Sequence, residues 1–227
     1  MVFESIQRDF AAQFTARRTA RSEVADDLDR LSYRVYLSQP HAARSGGVYF
    51  CGLKPYGTPH RRYAAPRLPH ELPDDYNHYR DDPGTSPFYA TARRVLRWGL
   101  DQTHGADVPL EGAFCTNWCF ARAADTAHLK RCGWTLLDFT PHHRTLLRHL
   151  QPKLVLCAGN GPFSAFAGML ELHETAPLET LPAEGHARIK LARTDGRILI
   201  GFPHFSRYSI SDAQLARCAD FIVNLPA

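Results

Sequence analysis

Gly47-Val-Tyr-Phe-Cys-Gly52, followed at once by Leu53-Lys-Pro-Tyr-Gly57, is the stretch on which the fold turns. Four apolar residues between two glycines are too few for a helix. They read as a strand buried on both faces, the pattern of a parallel sheet's interior. The glycines allow close approach of the backbone to a ligand, and Pro55 fixes the turn that follows. Three further runs read as strands: Gly112-Ala-Phe-Cys-Thr-Asn117, Lys153 to Ala158, and Arg197 to Phe202. The last is preceded by Ala187–Arg193 across Thr194-Asp195-Gly196, a hairpin turn signal.

Capped helices alternate with these runs. Ser86-Pro87 supplies an N-cap and a first-turn proline, and Phe88, Ala92, Val95, Leu96 and Gly99 mark the buried face behind it. Thr140-Pro141 repeats the signal, with Leu146, Leu147 and Leu150 inward. Gly161-Pro162 opens a short helix through Leu170. Ser211-Asp-Ala-Gln214 is a capping box ahead of a terminal helix that turns Leu215, Cys218, Phe221 and Ile222 inward. Residues 4–37 read as helical, with Phe10, Phe14, Leu28, Leu31 and Val35 at helical spacing, and 1–40 is expected to form an outer cover. Pro40–Gly47 reads as a linker, Leu53–Thr85 and Trp118–Trp134 as loops, and His173–His186 as irregular. The alternation predicts one α/β domain over residues 1–227, with a mostly parallel, four-stranded sheet covered on both faces.

The composition is that of an ordinary globular chain: 227 residues, 44% hydrophobic and 22% charged. No apolar run approaches the ~18 residues of a membrane span. Met1–Arg18 lacks the apolar stretch of a secretory signal, and Glu4 and Asp9 argue against a transit peptide. A soluble cytoplasmic monomer with no membrane partner is expected. The net charge of +4 permits a polyanionic partner. Six cysteines occur without a C-x-x-C, so Cys115, Cys119 and Cys132 read as reduced structural thiols rather than cluster ligands. Gly159-x-Gly161 lacks the third glycine of a dinucleotide fingerprint, Ser164 standing in its place, and has no acidic ribose partner about 20 residues on. Neither a cofactor nor a metal is expected.

In sheets of this kind ligands bind beyond the carboxyl ends of the strands. Those ends carry Gly52–Gly57, Thr116-Asn117, Ala158-Gly-Asn-Gly161 and Gly201-Phe-Pro-His-Phe-Ser-Arg-Tyr-Ser209. Asn117 offers an amide that donates and accepts at once. Each element alone has a plain structural reading: a turn, a loop tie, a histidine that only packs. Their joint order from about Gly47 to Ser211 resembles the uracil-DNA glycosylase superfamily. Gly52-Leu-Lys-Pro-Tyr-Gly57 resembles that family's first motif, G-x-[DN]-P-Y or G-[LM]-N-P-G. Asn117 matches its base-reading asparagine. Pro203-His-Phe-Ser-Arg-Tyr-Ser209 resembles its second motif, H-P-S-P or P-H-P-S.

The resemblance implies a three-layer α/β/α sandwich and a monofunctional DNA glycosylase, acting on duplex or single-stranded DNA. Such an enzyme flips a damaged or modified base and hydrolyses its N-glycosidic bond. Gly52, Leu53, Pro55, Tyr56, Phe88 and Asn117 are expected to form the base pocket, with Tyr56 or Phe88 stacking. His204 is expected to stabilise the charge left on the departing base. Gly57, Ser206, Arg207, Tyr208 and Ser209 are expected to hold the DNA backbone, and Phe205 or Tyr208 to wedge into the duplex. The basic loop Pro59–Arg80 (His60, Arg61, Arg62, Arg67, His70, His78, Arg80) reads equally as a contact to DNA or a decorated base and as a solvated surface.

One position departs from the family. Lys54 stands where an Asp or Asn positions the attacking water, and a charged lysine has no acceptor. Three readings stay open. The water could be held by Asp74, Asp75, Asn77, Asp81 or Asp82. Lys54, if desolvated, could act as a nucleophile through a Schiff base. Or the protein binds nucleic acid without cleaving it. A nucleoside or nucleotide N-glycosidase is the further alternative.

Overall fold

The run after Gly47 forms strand β1, Val48–Gly52, and all five of its residues are buried. The structure is a computed structural model. It describes residues 2–55, 62–63, 67–81, 87–172, 174–180, 187–194 and 196–223, with 174–180 and 194 described by their backbone. Along the chain come α1 (Val2–Ala20), α2 (Ala25–Leu31), β1, α3 (His78–Asp81), α4 (Pro87–His104), β2 (Phe114–Asn117), α5 (Thr126–Arg131), α6 (Thr140–Leu150), β3 (Leu154–Ala158), α7 (Asn160–Met169), β4 (Glu174–Thr180), β5 (Arg188–Thr194), β6 (Arg197–Phe202) and α8 (Asp212–Val223).

The strands form a single sheet in the order β2-β1-β3-β6-β5-β4. β2, β1, β3 and β6 run parallel, and β5 and β4 add to the β6 side as an antiparallel pair. Successive side chains on β1 serve opposite cores, as the two-residue period of a strand requires. Tyr49 and Cys51 join Phe10, Leu146, Phe163 and Phe166 from α1, α6 and α7. Val48 and Phe50 join Val95, Leu96, Leu215 and Cys218 from α4 and α8. Each fully buried Leu, Val or Phe contributes about 1.5–3 kcal/mol, so both faces hold the sheet. The capping box forms as predicted: Ser211 N donates to Gln214 Oε1 at 2.8 Å, and Gln214 N to Ser211 Oγ at 3.2 Å.

Three expectations need correction. The sheet has six strands rather than four. Pro177 and the polar residues of 174–180 hid β4, yet β4 is an edge strand with a register shift between Thr175 and Glu179, where a proline is tolerated. Second, the N-terminal cover is not helical through residue 37. Helix α2 ends at Leu31, Ser32 adopts a positive φ of 56°, and residues 33–38 run extended along the outer edge of β2. Their bridges are Tyr33 to Ala121, Tyr36 to Thr116 and Ser38 to Asn77. Leu37 N donates to Cys115 O at 2.8 Å. Third, both long loops contain regular structure, α3 in the first and α5 in the second.

All six cysteines are buried free thiols. Burial pushes the Cys115 and Cys119 thiols up to about 12. Among the described residues no helix is long and apolar enough to cross a membrane, and no three His, Cys, Asp or Glu side chains group as metal ligands.

Candidate functional site

β1 and β2 end side by side, with Gly52 in register with Asn117. A β-carbon at residue 52 would stand 2.4 Å from Asn117 Oδ1, so only glycine lets the asparagine amide turn over the end of β1. The pairing continues beyond the strands, because Trp118 N donates to Gly52 O and Cys119 N to Leu53 O, both at 2.8 Å. Asn117 itself is 6% exposed, and its amide makes no hydrogen bond to a described residue.

The turn after Asn117 is fixed from beneath. The His143 ring stacks on Trp118, with centroids 4.3 Å apart and planes 7° from parallel. His143 Nε2 lies 2.8 Å from Trp118 O, and Tyr49 Oη lies 2.7 Å from Nδ1. A carbonyl only accepts, so Nε2 carries the proton and Nδ1 accepts from the tyrosine. Burial drives the His143 pKa down to about 3, with the Trp118 carbonyl opposing. The ring is therefore neutral and fully satisfied.

Lys54 leaves β1 toward the loop before α5. Its Nζ donates to Ala123 O at 2.5 Å and to Ala124 O at 3.1 Å. Burial lowers its pKa, while Asp125, the N-cap of α5, works the other way. Two carbonyl acceptors favour the ammonium over the free amine that a Schiff base requires.

His204 follows β6. Its Nδ1 accepts from Ser206 N at 3.3 Å and lies 2.6 Å from Ser206 Oγ. An amide only donates, so the neutral ring carries its proton on Nε2. Burial, then the charges of Arg207 and Lys54, lower its pKa, which keeps it neutral near pH 7. Its ring lies 5.6 Å from that of Phe88. The turn into α7, where Gly159 has a φ of 122°, sits beside it.

These groups meet in one cavity of about 720 Å³. Gly52, Leu53, Lys54, Pro55 and Asn117 line one side. His78, Tyr79, Phe88 and Tyr89 from α3 and α4 form an aromatic wall. Arg34, Leu37, Tyr63 and Arg122 close the end beyond β2, and His204 and Ser206 stand at the β6 end. The structure thus brings together His204, Lys54, Asn117, Gly52, Leu53, Pro55 and Phe88. Tyr56 and Gly57 lie outside the described residues. On the other side of His204 an open groove of about 560 Å³ is lined by Asn160, Ala187, Pro203, Ser206, Arg207 and Tyr208. Ser209 is exposed and lines neither space.

Two site expectations change. Phe205 is no wedge: it is 1% exposed and packs on Phe50, Phe88 and Phe202. Nor do the described members of the proposed set of water holders line the cavity. Asp74 and Asp75 are exposed. Asp81 accepts from Asn77 N at 2.8 Å and pairs with Arg80. Asn77 is used up by Leu110 O and Tyr79 N. Asp82 lies outside the described residues. No Asp or Glu is among the described residues of the cavity lining.

The basic loop divides. His78 enters the cavity wall, its pKa held down to about 3 by burial and then by Arg34 and Arg122, with Asp81 opposing. Arg80 pairs with Asp75, Asp81 and Glu111. Arg62, Arg67 and His70 are exposed, and His60 and Arg61 lie outside the described residues. Arg34, Leu37, Tyr63, Tyr79, Tyr89 and Arg122 were not anticipated from the sequence. No family model matches the chain, and no curated protein matches it.

Proposed function

We propose that the protein is a divergent member of the uracil-DNA glycosylase superfamily that takes a base out of a DNA strand and hydrolyses its N-glycosidic bond. One observation carries this reading: Asn117, Phe88 and His204, a neutral ring with its proton on Nε2, line a single cavity. An extruded base needs an edge reader and an aromatic face, and those two side chains supply them.

Breaking the bond sends its electron pair to the base and leaves an oxocarbenium-like sugar, to which water then adds with loss of a proton. Charge gathers on the base carbonyls. His204 donates from Nε2 to such an oxygen without having to change protonation state. The Lys54 ammonium, held by Ala123 O and Ala124 O, adds a fixed positive charge in a partly desolvated site. The groove with Ser206, Arg207 and Tyr208 suits the strand that bears the base, since side chains of these types bind phosphate and sugar. The fold supports the same assignment, because the fourth parallel strand arrives late in the chain and delivers His204.

The test is incubation with duplex and single-stranded oligonucleotides carrying uracil, hypoxanthine, xanthine or bulky modified cytosines, then hot alkali. Strand scission at the marked base is expected. An intact strand in every case would remove the enzymatic reading.

A second reading is binding of nucleic acid without cleavage. It is favoured by the lack of a carboxylate among the described lining residues. It predicts salt-dependent binding that His204→Ala leaves unchanged, with no base released.

A further inference from the structure

The cavity, which is open to solvent on one side, offers more space than a plain base fills. A cytosine has eight heavy atoms. Granting each the ~30 Å³ that a water occupies in the liquid, the base fills about 240 Å³. That is roughly a third of the 720 Å³ present.

The surplus space has a direction. Across the carboxyl ends of the strands the cavity runs from His204 on the β6 side, past Gly52 and Asn117, to Arg34 and Leu37 on the segment that edges β2. A base whose glycosidic bond lies at His204 and whose edge meets Asn117 therefore stops short of the far end, on the side away from the sugar. That end is lined by donors and aromatic faces. The Arg34 guanidinium carries five N–H groups, and the Tyr76 hydroxyl accepts from it. The Arg122 guanidinium stacks over Tyr63, 4.6 Å from the ring centroid. Tyr89 presents a hydroxyl that meets His78 Nε2 at 3.2 Å.

From this arrangement we infer that the preferred base carries a bulky, oxygen-rich substituent on the edge remote from the sugar, and that Arg34 recognises its oxygens. The inference rests on the glycosidic reading above and names its substrate class. Oxygen acceptors of this kind are offered by a hexose and by a carboxylated chain.

The experiment uses the whole chain and a set of otherwise identical single-stranded oligonucleotides. One cytosine is plain, or bears at its 5-position a hydroxymethyl group, a hexose linked through that group, or a carboxyalkyl chain. A uracil strand completes the set, and released base is measured by mass. Release from a bulky substituted strand is expected to be at least about tenfold faster than from plain cytosine or uracil. Whichever of the hexose and carboxyalkyl arms is faster identifies the substituent. Arg34→Ala should then lower the ratio of kcat/KM between substituted and plain strands by on the order of tenfold. That ratio is insensitive to partial unfolding, which reduces both equally. Plain base released as fast as substituted base overturns the inference and leaves the glycosidic reading standing. An unchanged ratio in Arg34→Ala overturns the role of Arg34. No release from any strand removes both.

Discussion

Gly52 and Asn117 are neighbours across a parallel pair with no room between them for a methyl group, since a β-carbon on residue 52 would meet Asn117 Oδ1 at 2.4 Å. Gly52→Ala must therefore push the amide aside or part the strands. Loss of about 1–3 kcal/mol of stability is expected from the crowding. A fall in base release of at least tenfold should accompany it. Asn117→Ala should reproduce the fall in activity without the loss of stability. Thermal melts beside release assays on both variants decide this, and a fully active Gly52→Ala would show that the amide does not read the base.

His143 should matter for stability out of proportion to its distance from solvent. His143→Phe keeps the ring but strands the Tyr49 hydroxyl and the Trp118 carbonyl in the core. Each buried group without a partner costs about 1–3 kcal/mol. Urea unfolding should register a loss of about 2–6 kcal/mol, and the strand end bearing Asn117 should loosen with it.

The same histidine sets a pH dependence. Burial holds the His143 and His78 pKa values down to about 3 in the folded chain, against the usual 6.5 of a histidine. Their folded values are depressed, so below about pH 6.5 the unfolded chain binds protons that the folded chain refuses. Stability is then full above pH 6.5 and falls as the pH drops toward 3, by about 1.4 kcal/mol per pH unit for each histidine. The carboxylates with lowered pKa, among them Asp81 and Asp138, act in a lower window, below the usual 3.8 of an aspartate. Urea midpoints between pH 7 and pH 5 thus isolate the histidines. The slope should be shallower in His143→Phe, with the remainder carried by His78 and by His104, His142 and His204, whose pKa values burial also lowers, and a flat profile in the parent chain would refute the buried neutral rings.

For Lys54 the expectation is electrostatic rather than covalent. Lys54→Met removes the ammonium that Ala123 O and Ala124 O hold. It should slow base release by about tenfold to a hundredfold while folding survives. Borohydride added during turnover by the parent chain should trap no protein–DNA adduct. A trapped adduct absent from the variant would instead make the lysine a nucleophile.

At the other end of the cavity, His204→Ala should cost on the order of 10²–10³ in release rate, the scale of losing one donor to a developing anion. Ser206→Ala should cost far less, because the Ser206 backbone N–H still reaches Nδ1 and fixes the proton on Nε2. Equal losses in the two variants would mean that the hydroxyl, not the amide, sets the tautomer.

The four parallel strands and their capped helices were legible because each has a local cause. Glycine-bounded apolar runs, Ser or Thr before Pro, and the Ser211–Gln214 box all act within a few residues. What escaped depends on partners distant in sequence. Residues 33–38 have helical spacing on paper, and only the open edge of β2 makes them extended. β4 has a proline and polar side chains, and only β5 makes it a strand. Of the site, Gly52, Asn117 and His204 were readable because strand ends announce themselves. Arg34 and Arg122 were not, since nothing local tells an arginine near a cavity from one in solvent. Phe205 was misread for the same reason: its bulk was visible in the sequence, but its burial under Phe88 was not.

The antiparallel pair β4–β5 moves the margin of the sheet away from His204. β6 is hydrogen-bonded along both flanks, to β3 and to β5, whereas β2 has a strand on one side and a thin strap on the other. The molecule is therefore unequal in its give. Amide protons of β6 should be among the slowest to exchange with deuterium, and within 33–38 those of Arg34 and Leu37, bonded to Phe120 O and Cys115 O, should be the slow ones. His204 follows a strand paired on both flanks, and Arg34 sits on a buried strap joined to its neighbours at isolated bridges. Under the proposed function, a change of substrate would run through the strap that carries Arg34 rather than through β6.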